Sequence, residues 1–298
     1  MSASFFPSGG VWESMAGTLL HGEVFFTPYV HALVISCICT WLGVHLFLRG
    51  MAMAGDAVSH SVLPGMVAAY AATGQVRGIA PFFGAGISGW LSVWLAGRLA
   101  RVPRMRADAA LGAVYGIAFG LGVLGVGVLG RNVHLDADCV LNGDLLLVEG
   151  DGVWSVWVGP TGLALIGGYL EAMGGKRLRM TAFDTGFSRA GGIRLGVWNG
   201  LVVMMLTVTS VLGFRAMGIL PVLVMTTVPV AAGWAWGGGY GTRLFVALFV
   251  TVFSVTAGFV LAIWMEVAPP PAMGVAAFIL LGGIALFRRE REFLARVR

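Results

Sequence analysis

Apolar residues run along this chain in long blocks, separated by short breaks of charged, proline or glycine residues. The blocks cover 29–48, 53–74, 79–98, 109–130, 153–173, 195–213, 216–235, 243–264 and 272–288. Each is close to the roughly 20 residues that a helix needs to cross the hydrocarbon core of a bilayer. In lipid every backbone polar group must be paired within the protein, so isolated blocks of this length predict helices. The pattern predicts an all-α, polytopic transmembrane helical bundle of about nine spans. Eight or ten are also compatible, because the second block is interrupted and 142–148 has the character of a re-entrant stretch. Residues 1–28 are expected outside the cytoplasm or at the interface, 29–288 form the transmembrane domain, and 289–298 make a basic cytoplasmic tail. Met1–Gly10 has no basic region, so no signal peptide is expected. Gly112, Gly116 and Gly120 recur at every fourth position of the fourth block, a smooth stripe on which another helix could pack closely.

Composition excludes other classes. Hydrophobic residues make up 58% of the chain, charged residues 11%, and the mean hydropathy is +0.88. A soluble domain carries about 25% charged and about 45–50% apolar residues. The net charge of +5 does not point to nucleic acid, because the basic residues cluster in alternate breaks. These are Arg49; Arg98, Arg101, Arg104 and Arg106; Lys176, Arg177, Arg179, Arg189 and Arg194; and Arg288, Arg289, Arg291, Arg296 and Arg298. The intervening break 131–152 instead holds Asp136, Asp138, Asp144, Glu149 and Asp151 against Arg131 alone. Basic breaks face the cytoplasm, which predicts an outside N-terminus and an inside C-terminus, with the break near Arg243 also inside. Cys37, Cys39 and Cys139 read as small apolar residues, since positions two apart on a helix do not face one another.

Catalytic motifs are sparse. The chain has no G-x-x-x-x-G-K-[ST] loop, and Gly174-Gly175-Lys176-Arg177 lacks both its spacing and its Ser/Thr. If the chain works in ATP-driven transport, the ATPase is another polypeptide. The chemistry concentrates in the second block, Gly55-Asp56-Ala57-Val58-Ser59-His60-Ser61-Val62-Leu63-Pro64-Gly65. Asp56 and His60 are four apart, hence on one helix face. Ionisable groups within a span cost about 2.5–3.5 kcal/mol each on insertion scales and face a cavity or a partner. A carboxylate with an imidazole suits Zn²⁺, Mn²⁺ or Fe²⁺. An Asp–His hydrogen bond that holds the helix to its neighbour fits the same residues. Pro64 and Gly65 weaken the helix next to the pair and form a candidate hinge, as unwound backbone lining a path would require.

The remaining polar residues rank lower. His31 and His45 read as interfacial or packing histidines, His134 with Asp136 and Asp138 as a solvated loop, Glu266 as an outer loop and Arg215 as a snorkelling or capping group. Asp56 stands as nearly the only buried carboxylate. In the main basic break, Asp184 is a good N-cap and Gly191-Gly192 a good stop for a short helix with Phe187 on one face. Such a helix fits either docking to a soluble partner or lying on lipid headgroups.

At these two segments the sequence resembles the permeases of ABC importers for zinc, manganese and iron chelates. Leu48-Arg49-Gly50 through Gly55-Asp56-Ala57-Val58-Ser59-His60-Ser61-Val62-Leu63-Pro64-Gly65 is similar to that family's signature of a basic residue followed by G-D-[AS]-[LIV]-S-H-x-x-L-P-G. Phe183-Asp184 through Ala190-x-Gly192-Ile193 resembles its coupling helix, Leu141–Leu146 its F-G-D-[IL]-L element, and Met217–Ala232 its G-x-L-L…G-P-A-A stretch. The resemblance covers about residues 28–290. It implies a permease that pairs with a second copy or a paralogue in the bacterial cytoplasmic membrane. It also implies a cytoplasmic ATPase dimer, carrying the ATP, docked at about 183–192 through Phe183, Asp184, Phe187, Arg189, Ala190 and Gly192. An extracytoplasmic binding protein would deliver the metal to Asp56 and His60, with no bound cofactor. Thr185 and Gly186 replace the usual Pro and Glu, Val228 replaces a Gly, Pro221 is added, and Arg215 stands where an uncharged polar residue is common. Haem or another iron chelate is an alternative cargo. An ion-coupled secondary carrier is a second alternative, though the halves show no convincing repeat. A scaffold or lipid-modifying enzyme would need exposed catalytic groups that the chain lacks.

Overall fold

The computed structural model describes residues 23–51, 54–74, 79–105, 107–129 and 157–297. The described residues are helical, without a strand, in the order α1 (Glu23–Leu48), α2 (Ala54–Thr73), α3 (Ile79–Leu99), α4 (Ala107–Leu129), α5 (Gly159–Phe183), α6 (Thr185–Ala190), α7 (Leu195–Met217), α8 (Ile219–Trp236), α9 (Tyr240–Met265) and α10 (Pro269–Val297). Every helix except α6 coincides with one apolar block. Six of them, α1, α4, α7, α8, α9 and α10, are long and apolar enough to cross a membrane. In α2, α3 and α5 the length is present, but Gly, Ser and charged side chains dilute the apolar character. The acidic break with His134, Asp136 and Asp138, the 142–148 stretch, the Leu141–Leu146 element and Cys139 lie outside the described residues.

Helix α1 is central, packing on α5, α7, α8 and α9. Its most apolar stretch is 72% buried, against 22% in α4 and α10, so α4 and α10 lie at the periphery of the described bundle. Helices α2, α3 and α4 pack as one group, α8, α9 and α10 as another, and α7 touches both. Small residues permit the close approaches. A β-carbon added at Gly65 would overlap the Gly84 carbonyl, and one added at Gly84 would overlap that of Gly65, so α2 and α3 cross almost backbone to backbone. Gly43 meets the Thr226 backbone in the same way, joining α1 to α8.

Three boundaries differ from the sequence expectation. Helix α2 runs unbroken through Pro64 and Gly65. Pro64 offers no amide to the His60 carbonyl, and one residue further along the same turn the Ser88 hydroxyl of α3 donates to the Ser61 carbonyl at 2.6 Å, tying that turn to α3. Gly65 serves the α2–α3 crossing rather than an unwound segment. Helix α5 continues to Phe183, so Lys176, Arg177 and Arg179 belong to a helix and not to a loop. Helix α7 extends to Met217 and ends where Gly218 takes φ +83°, so Arg215 falls in its last turn. Glu266 closes α9 with a left-handed conformation at φ +55°, directly before α10.

Candidate functional site

Gly55, at the start of α2, lies against Thr226 and Leu223, halfway along α8. That contact sets the first turn of α2, which holds Asp56, against α8. His60 follows one turn later, with Nε2 3.4 Å from Asp56 Oδ1. The two side chains are 25% (Asp56) and 37% (His60) exposed, so the pair opens to the outside of the single chain. The imidazole stacks on Tyr115 of α4 at 5.5 Å between centroids and meets Phe119 edge-on at 5.1 Å. Its described neighbours on α4 are aromatic, and the Asp56–His60 contact lies within α2 rather than between helices. Tyr115 and Phe119 were not foreseen. They stand four apart on α4, but nothing in the spacing shows which face meets His60. Among the described residues no group of three His, Cys, Asp or Glu side chains gathers.

The glycine stripe on α4 is not the face that meets α2. The helix packs on α2 through Gly122 and Gly125, which meet Leu63, Pro64 and Val67, while β-carbons at Gly116 and Gly120 would meet nothing within 4 Å. The same rotation of α4 brings Tyr115 and Phe119 to His60 and leaves Gly116 and Gly120 clear of the described helices.

At one end of the bundle, α6 follows α5 with only Asp184 between them. Asp184 is extended (φ −140°, ψ 98°), and its Oδ1 accepts from the Phe187 backbone N–H at 2.8 Å, an N-cap as its sequence position predicts. Gly191 caps the other end and Gly192 takes φ +72°. Ser188 turns inward and is fully buried, whereas Phe183 and Phe187 are 67% and 63% exposed. Arg189 and Ala190 are exposed as well.

A second polar cluster had no counterpart in the sequence reading. Glu171, in the middle of α5, accepts hydrogen bonds from Trp41 Nε1 at 3.1 Å and from the Tyr240 hydroxyl at 3.2 Å. It also meets His45 Nε2 at 3.1 Å and pairs with the Arg179 guanidinium at 3.1 Å. Asp56 is thus not nearly the only carboxylate inside the bundle. His45 is the packing histidine that was expected, fully buried against Trp41 and Tyr240. Nearby, Arg49 donates to the Thr181 hydroxyl at 3.4 Å. Burial lowers its guanidinium to about 10, which leaves it charged at neutral pH. Cys37 and Cys39 are free thiols facing different surroundings, in keeping with an apolar packing role.

Residues 22–287 match the family described as the ABC 3 transport family. The chain is 31% identical over 257 residues to the manganese transport system membrane protein MntD of Bacillus subtilis, covering 84% of this chain and 87% of that one. It is also 31% identical over 272 residues to the zinc transport system membrane protein TroD of Treponema pallidum, covering 89% of this chain and 74% of that one. Among solved structures, PsaBC from Streptococcus pneumoniae in complex with Fab superposes with a TM-score of 0.76 at 21% identity. The superposition covers 92% of this chain and 95% of that one, a likeness of fold.

Proposed function

This chain belongs to the ABC 3 transport family, and on that premise we propose that it is the permease of an ATP-driven importer of a divalent transition metal, manganese or zinc. The observation that carries the reading is the part-exposed Asp56–His60 pair on one face of α2, beside Tyr115 and Phe119. One oxygen and one nitrogen donor suit Mn²⁺, Zn²⁺ or Fe²⁺, whose complexes take four to six ligands of this kind. Two donors are too few for a tight site, and a second copy or a paralogue facing this wall would add a matching pair. Incomplete coordination suits a path, because a cargo has to leave as readily as it enters. The names of the similar transport proteins favour a bare manganese or zinc ion over haem.

In this reading α2, α3 and α5 cross the bacterial cytoplasmic membrane together with the six more apolar helices, giving nine crossings with the C-terminus inside. Helix α6 then faces the cytoplasm, where Phe183 and Phe187 present an apolar surface to a soluble ATPase dimer. A binding protein releases the ion on the opposite side, and ATP-driven rearrangement of the two permeases opens the Asp56–His60 level inward. ATP is bound and hydrolysed on the partner, not on this chain.

Radiolabelled Mn²⁺, Zn²⁺ and a ferric chelate, offered to proteoliposomes containing the permease with its ATPase and binding protein, test the proposal. Selective, ATP-dependent uptake of one ion, lost in a correctly assembled His60→Ala variant, is the expected result. An intact, ATP-hydrolysing complex that moves none of the metals would refute the cargo assignment.

A further inference from the structure

Helix α5 carries the exposed helix α6, and although Leu163, Leu170 and Leu178 reach the core, its fully buried positions among the described residues are mostly small. Its buried residues are Pro160, Gly167, Gly174, Gly175, Leu178 and Thr181, most of them small. Its outer face is apolar and open, with Leu165 at 74% and Met173 at 73% exposure. Within the chain it packs mainly on α1 and α7. Gly167 lies beside the Trp41 ring and Gly174 beside the Trp198 indole, flat contacts along which a helix can slide or rotate.

The Glu171 cluster is the exception to this smooth contact. Oε2 takes Trp41, His45 and Tyr240, and Oε1 takes Arg179 and Tyr240, so one carboxylate joins α1, α5 and α9. Arg179 also stacks on the Tyr240 ring at 4.6 Å. The bonds to Trp41, His45 and Tyr240 are directional, and shifting α5 by one position would strip all three from the part-buried Glu171 carboxylate, while Arg179, on α5 itself, moves with it. On one side of the knot, α5 leads through Asp184 alone into α6. On the other side, α1 leads through Arg49 into α2, whose first turn holds Asp56.

We infer that Glu171 is a positioning residue for transport, the pin that couples displacement of α6 to α1 and so to the Asp56–His60 helix. The inference rests on the reading of α6 as the ATPase-docking element. Loss of the pin lets α5 follow the ATPase without carrying α1, so hydrolysis continues while transport fails.

The test uses the complete transporter in proteoliposomes, supplied with Mn²⁺ and ATP. Glu171→Gln keeps the shape and removes the charge, and Glu171→Asp keeps the charge at a shorter reach. The glutamine variant is expected to assemble and hydrolyse ATP near the wild-type rate, while Mn²⁺ moved per ATP falls about tenfold, the weight of one buried charge-assisted hydrogen bond. The aspartate variant should recover part of that ratio. A carboxylate that only stabilises the fold would lower uptake and hydrolysis in parallel, so an unchanged ratio overturns the inference. Should Glu171→Gln fail to assemble, Tyr240→Phe removes one donor and is read in the same way. Spin labels at Met173→Cys and Phe249→Cys, both exposed, give a reading independent of cargo. The α5–α9 distance distribution should broaden in Glu171→Gln, and an unchanged distribution overturns the pin whatever is transported. A broadened distribution in a complex that moves no metal would instead place the failure in the cargo assignment.

Discussion

Replacing Asp184 by alanine removes the side chain that accepts from the Phe187 amide at 2.8 Å and leaves the first turn of α6 uncapped. Loss of an N-cap costs about 1 kcal/mol, within a range of about 0.5–2 kcal/mol. A helix of six residues has almost no stability of its own, because nucleation costs more than so few bonds return. The whole cap energy therefore falls on the population of the docked conformation. At about 1.4 kcal/mol per factor of ten, the folded fraction of α6 drops roughly fivefold, and the apparent affinity for the ATPase drops by the same factor. Purified permease in nanodiscs, titrated with the ATPase by biolayer interferometry, measures this directly. Asparagine caps as well as aspartate, so Asp184→Asn should bind close to wild type. If Asp184→Asn loses as much affinity as Asp184→Ala, the charge and not the cap governs docking. If neither variant weakens binding, α6 is not the docking element.

Other substitutions test separate parts of the structure. Gly65→Leu drives a side chain into the Gly84 backbone and should lower the thermal midpoint of the purified protein by several degrees, since overpacking of this kind costs about 1–3 kcal/mol; an unchanged midpoint would mean the α2–α3 crossing is looser than described. Gly192→Ala places a β-carbon at φ +72°, costs about 1 kcal/mol, and should mimic the Asp184→Ala binding defect without touching the Asp184 cap. Asp56→Asn keeps the volume while removing the charged donor, so metal uptake should fall at least about tenfold with hydrolysis and expression retained, measured as counts of labelled ion per mole of assembled complex. Tyr115→Ala should also reduce uptake by freeing the His60 ring that it stacks against.

Local features were legible in the sequence because they depend on neighbours along the chain. Block length predicted the long helices, the i, i+4 spacing of Asp56 and His60 predicted a shared face, and Asp184 with Gly191-Gly192 predicted a capped short helix. Each of these is set by helix geometry or backbone conformational preference, so a window of a few residues contains the information. Pro64-Gly65 marks the limit of that reasoning. A proline inside a helical pattern signals a break locally, and only the assembled bundle shows α2 continuing through that turn with the Ser88 hydroxyl and the Gly84 backbone of α3 packed against it.

Tertiary structure decided the rest. Glu171 draws its partners from positions 41, 45, 179 and 240, so no window along the chain could have gathered them. The direction in which α4 presents Tyr115 and Phe119 to His60, and the glycine stripe outward, depends on how the helix rotates about its own axis. A chain apolar on every side of its helices leaves that rotation free, because lipid and protein interior are almost equally good surroundings for leucine or valine. Specific contacts, a glycine against a backbone carbonyl or a carboxylate against four donors, select one rotation from many, and those contacts exist only once the helices are assembled.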